Sequence, residues 1–220
     1  MLAWFLNQDL VAFKQWCFVS AKLLRSLYQE RPKNYYMTSA HLVHLMSDDA
    51  SLIEWFARFE YPFALKDGYS SPERITDLNT HDHHHYNTLL ALRGDWELLA
   101  RRSRSFLEDV PPKFRDYEAD HRFTLALAGG DAAGMEQALN DLVQPALMKR
   151  RQDEERGDTQ GLICTVAVVY AKIAWRHGFP INLDSPWIPR AWLPVSPLAT
   201  YEDMFDFLSH TDASMPMAQG

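Results

Sequence analysis

A short pattern occurs twice in the middle of the chain, and it constrains the fold more than any other feature. Leu90-Ala91-Leu92-Arg93-Gly94-Asp95 is answered by Leu125-Ala126-Leu127-Ala128-Gly129-Gly130-Asp131. A helix-like run follows each copy, Trp96 to Leu107 and Ala132 to Val143. Leu92 and Leu127 stand 35 positions apart, close to the period of helical-hairpin repeats. A unit of helix, Gly-Asp turn and helix buries its apolar face only by stacking on a neighbour, and such stacks serve to hold other proteins. The spacing predicts an all-α fold: a single domain of stacked antiparallel helical hairpins with tetratricopeptide-like spacing.

The remaining segments can be placed around that unit. From Phe5 to Tyr28 the apolar residues Leu10, Phe13, Cys17, Leu24 and Leu27 follow helical spacing, and Pro32 ends the element. Thr38 or Ser39 is placed to cap a second helix through Leu42, Val43, Leu45 and Met46. Ser47-Asp48-Asp49 forms a turn before a third helix, Ala50 to Phe59. Residues 61–79, rich in Pro, Gly and Ser, read as a loop. The hairpins occupy residues 80–147, with Pro111-Pro112 between them. Met148 to Arg156 alternates in charge; it is expected to prolong the last hairpin helix as a solvated face, ending at Gly157.

Leu162 to Trp175 is apolar on most sides, so the helix over 162–176 should be central and buried. Five prolines between Pro180 and Pro197 then exclude long helices, predicting an extended Pro/Trp-rich wrap over 180–208 with a short acidic helix from Tyr201 to Leu208. The expected organisation is one helical domain over 1–210, its N-terminal helices within 1–60, and a flexible tail over 211–220.

Composition narrows the partners. With 220 residues and 47% hydrophobic content the chain can bury a sizeable core. A net charge of −7 argues against nucleic acid or an anionic membrane as partner. No run approaches the ~20 apolar residues of a membrane span, and the stretch from Met1 to Asp9 lacks the basic start and cleavage site of a signal peptide. Cys17 and Cys164 sit in apolar helical contexts without metal spacing and read as buried thiols of a reducing compartment. The expected location is the cytoplasm.

The one constellation with ligand chemistry is His81-Asp82-His83-His84-His85. On a helix His81, His84 and His85 share a face, a weak candidate for a zinc or iron site and hence for a metal-dependent helical enzyme. The plainer reading is a polar helix start, with Thr80 or His81 before it and Asp82 in the first turn. A helical di-metal site would want several Glu-x-x-His pairs, and only Glu118 with His121 supplies one. No nucleophile motif or phosphate-binding glycine loop occurs, so no catalytic residue and no cofactor are expected. A protein surface remains. Asp184, Glu202, Asp203 and Asp206 accompany Trp187, Trp192 and Tyr201 near the C-terminus, the composition of an interface for a basic partner. The competing reading has these aromatics packing inward. Trp4, Phe5, Phe13 and Trp16 offer a surface for a homodimer, and a general adaptor or chaperone binding a peptide groove is the alternative function.

The run Tyr170-Ala171-Lys172-Ile173-Ala174-Trp175-Arg176-His177-Gly178 is followed by Asp184-Ser185-Pro186-Trp187-Ile188-Pro189, Leu193-Pro194 and Tyr201-Glu202-Asp203-Met204-Phe205-Asp206-Phe207-Leu208. With the second hairpin and its charged extension, this set resembles the immunity protein 49 family over roughly residues 85–208. These are bacterial antidotes of polymorphic toxin systems. The resemblance implies a cytoplasmic, non-catalytic protein that binds one cognate toxin, delivered by contact-dependent or type VI secretion, and neutralises it by occlusion. A basic nuclease is a natural target for an acidic inhibitor.

Overall fold

The computed structural model describes residues 1–30, 37–59, 73–155 and 157–210. Among them the fold is all-α, with ten α-helices, short 3-10 segments and no strand. At the N-terminus lie α1 (Leu2–Asn7), α2 (Leu10–Glu30), α3 (Leu42–Ser47) and α4 (Ala50–Arg58). The hairpins are α5 (His81–Arg93) with α6 (Trp96–Glu108), and α7 (Glu118–Gly129) with α8 (Ala132–Leu142). Then come α9 (Pro145–Arg150) and α10 (Thr165–Arg176).

The duplicated turns behave as their residues require. Gly94 and Gly130 cap α5 and α7 in the left-handed region, at φ of 79° and 69°, where a Cβ would be strained. Each closes a Schellman pair: Asp95 N–H donates to Leu90 O at 3.0 Å and Asp131 N–H to Ala126 O at 2.9 Å. Consecutive hairpin helices lie against one another, α6 bridging to α7. Helix α10 packs on α3, α5 and α8, and every residue from Thr165 to Ala174 is buried. The helix starts at Thr165, later than the apolar run from Leu162 suggested.

Several sequence expectations need correction. The first helix is broken at Gln8, whose left-handed φ of 54° separates α1 from α2. Thr38 and Ser39 do not cap α3; a 3-10 turn (Thr38–His41) leads into it, and the Thr38 hydroxyl bonds Thr88 at 2.8 Å instead. Asp49 does cap α4, accepting from Leu52 N–H at 2.8 Å. The charged stretch after residue 147 does not prolong α8, because Pro145 starts a new helix that gives way to a 3-10 turn at Gln152–Glu154. The C-terminal wrap lacks α-helix but turns at Ser185–Ile188 and Arg190–Trp192, and only a 3-10 turn, Asp206–His210, stands where a short helix was expected. Pro32, most of the 61–79 loop and the 211–220 tail lie outside the described residues.

Candidate functional site

The histidines of α5 are turned toward separate partners. Thr80 caps the helix, its hydroxyl accepting from His83 N–H at 3.3 Å, and buried Asp82 pairs with Arg74 at 2.7 Å. His81 Nδ1 meets the Tyr117 hydroxyl at 2.8 Å, His84 Nδ1 meets His121 Nε2 at 2.8 Å, and His85 Nδ1 meets the Thr38 hydroxyl at 3.2 Å. His84 also stacks on Tyr117, with ring centres 4.1 Å apart, and His121 on Phe106 at 3.9 Å. His81, His84 and His85 therefore do not converge, and no group of three or more donors able to hold a metal ion occurs among the described residues. Burial pushes the imidazoles down, His83 to about 3 and His85 to about 4, so these two rings are neutral core members at physiological pH.

Beside them lies an ion network that sequence periodicity misassigned. Arg151 and Glu154, expected on a solvated face, are largely buried. Arg151 forks to Asp120, with Nη2 to Oδ1 at 3.1 Å, and to Glu154 at 2.8 Å. Tyr170 donates to Asp120 at 2.9 Å and Tyr117 to Glu154 at 2.8 Å, while the guanidinium lies 4.5 Å from the Tyr117 ring centre. Burial alone would lower the guanidinium's pKa, but the two carboxylates outweigh it and hold Arg151 above its ordinary range. The network ties the 3-10 turn after α9 to the second hairpin and to α10.

A second buried charge cluster fastens the C-terminal segment. Asp48, in the left-handed C-cap of α3 at φ 60°, accepts from Lys14 at 2.7 Å and from Lys172 at 3.0 Å. Lys172 is 0% exposed and also donates to the carbonyls of Trp192 and Pro194, each at 2.9 Å. Lys14 reaches the Ser196 carbonyl, and Ser196 N–H returns to Asp48 at 3.2 Å. Every proton of the Lys172 ammonium is thus directed to α3 or to the backbone of the strap. Burial brings its pKa down to about 8 despite Asp48.

The structure sorts the acidic and aromatic residues of this strap. Trp192 is 1% exposed and stacks on Phe13 at 4.2 Å, with Trp4 and Phe5 edge-on at 6.0 Å. It is a core residue; so is Phe13, which leaves Trp16 as the well-exposed member of the N-terminal aromatics. Tyr201 stacks on Phe18 at 4.6 Å and sends its hydroxyl to the Ser47 carbonyl. Asp203 pairs with Lys22 at 2.7 Å. Glu202 and Asp206 are exposed on the run that follows α2. Asp184 is exposed at the other end of the strap, near half-buried Trp187, on the rim of a shallow cleft of about 290 Å³ lined by Trp4, Phe5, Ile188 and Arg190. The seven residues do not form one cluster. Sequence reasoning missed Asp48, Lys14 and Lys172; a lysine in the middle of the most apolar helix was the available signal.

The model of the immunity protein 49 family matches residues 111–192, from the Pro-Pro link before the second hairpin to Trp192. The resemblance read from the sequence is borne out over that segment, which holds the Arg151 network, α10 and the cleft-forming part of the strap. No curated protein and no solved structure matches the chain.

Proposed function

We propose that this chain, which the immunity protein 49 model matches over residues 111–192, binds a cognate bacterial toxin and neutralises it by covering its active cleft or substrate path. The family match is the observation that carries the reading, and it supports a binding protein in place of an enzyme. In this reading the protein acts in the cytoplasm against a toxin of a polymorphic, contact-delivered or type VI-delivered system. Asp184, Trp187, Glu202 and Asp206 supply contacts, while Trp192, Tyr201 and Asp203 hold the strap that presents them. The acidic surface favours a basic target such as a nuclease. Charge attraction speeds capture, and desolvated aromatic contacts slow release.

Growth of cells expressing the toxin domain encoded beside this gene is the test. Co-expression of this chain should restore growth, and the two proteins should migrate as one complex in size-exclusion chromatography. Continued killing with the chain soluble and abundant would falsify the reading.

A further inference from the structure

The outward face of α2 has an unusual division of charge. The helix carries three cations, Lys14, Lys22 and Arg25, and all three are buried. Lys14 is held by Asp48 and Lys22 by Asp203. Apart from Glu30 at its end, what α2 exposes is apolar: Trp16 is 46% exposed, with Leu23 and Leu27 at similar exposure, a spacing that puts them on one face. The strap is laid beside this face. Gln15 exchanges two hydrogen bonds with the Glu202 backbone, at 2.7 and 3.1 Å, and Lys22 takes Asp203. The next residues of the strap bring Phe205 and Phe207, stacked at 5.7 Å and also exposed. Exposed carboxylates stand at both ends of the helix, Asp9 and Glu30, and on the strap at Glu202.

Single exposed apolar side chains are ordinary, but large apolar side chains set on one helix face and on the segment bound to it mark an interaction surface. We infer that this α2–strap face is where the toxin seats, and that the toxin surface it fits is apolar at the centre with lysines and arginines around it. The inference rests on the immunity reading. Charge chooses the occupant: two copies of this chain placed face to face would bring like acids together, whereas a basic rim on the partner would pair with them. At 21 residues, α2 is about 31 Å long, enough to cross an interface of standard size.

The test is the affinity of the full chain for the toxin domain by titration calorimetry. The double variant Trp16→Glu/Phe207→Glu should bind roughly 30-fold more weakly or worse, while Trp16→Phe retains most of the affinity. Both should melt like the wild type, because the rings are about half exposed. Wild-type binding with an unaffected double variant would overturn the inference and leave the immunity reading standing. Absence of wild-type binding and rescue would remove that reading itself. A wild-type dimer in sedimentation that Trp16→Glu dissociates would seat a second copy here and overturn the inference. A variant ending at residue 210 that binds several-fold tighter would seat the chain's own tail here and would likewise overturn it.

Discussion

The two hairpins share a turn but not the alignment their letters suggest. Matching Leu92 to Leu127 gives an offset of 35. In space the residue that reverses the chain is Gly94 in one hairpin and Gly130 in the other, with Asp131 standing where Asp95 stands. The carbonyls closing the turn belong to Leu90 and Ala126, so the structural equivalent of Leu127 is Ala91. Burial agrees: Ala91 and Leu127 are buried, while Leu92 and Ala128 are only half-buried. Register is set by the left-handed glycine, and Gly129 is the additional residue. The hairpins differ further at their polar ends. The first carries His83, His84 and His85 and a buried Arg102 on neutral acceptors, Asn87 Oδ1 at 2.6 Å and Ile75 O at 2.6 Å. The second carries Asp120, which with Glu154 receives Arg151 from the turn after α9. A repeated turn has been used to hold two unlike polar cores.

Acid should separate these cores most sharply. Histidines with folded pKa values near 3 to 4, among them His41 at about 3, bind fewer protons folded than unfolded. Their stability contribution is complete above about pH 6.5. It falls as pH drops and is exhausted only near the folded values. Each costs on the order of 2 kcal/mol at pH 5. Urea midpoints at pH 7 and pH 5 should differ strongly, with hydrogen exchange in α5 accelerating before that in α8; equal midpoints would refute neutral burial.

The arginines come next. Arg151→Met leaves two buried carboxylates without a cation and should cost about 3–5 kcal/mol. Arg102→Met leaves neutral acceptors and should cost about 1–3 kcal/mol. The reverse order in denaturant titrations would contradict the division into ionic and neutral cores.

The glycines test the register. Gly130→Ala, at φ 69°, should lose about 1–2 kcal/mol. Gly129→Ala, with nothing within 4 Å of the added Cβ, should gain about 0.5–1 kcal/mol. If Gly129 were the sensitive position, the offset of 35 would be the true one. Smallest is the cap. Asp131 accepts from Gly134 N–H at 3.0 Å, whereas Asp95 makes no side-chain cap bond. Asp131→Ala should therefore lower the unfolding free energy by about 1 kcal/mol, and Asp95→Ala by under about 0.5 kcal/mol.

What was legible in the chain was local. The glycine turns, the Thr80 helix start, the buried α10 and the proline-rich wrap each follow from a few neighbouring residues. What was not legible depended on distant pairing. Lys172 meets Asp48 from 124 positions away, and Arg151 meets Asp120 from 31. Alternating charges on a surface helix and charges that turn inward to such partners look alike in one dimension. Trp192 is similar: an aromatic among prolines and acids reads as an anchor for a partner, but α1 and α2 supply Trp4, Phe5 and Phe13 to enclose it. The family match covers the second hairpin and much of the strap, and α2 lies outside it.

The hairpins are the scaffold in this account, and the partner is met by parts outside the repeat. Hydrogen–deuterium exchange of the full chain with and without the toxin domain tests that division directly. Protection on binding should appear in the outer residues of α2, in residues 201–207 and around Asp184 and Trp187, with the turns at Gly94 and Gly130 unchanged. Protection confined to the two hairpin turns, with α2 and the strap unaffected, would contradict it.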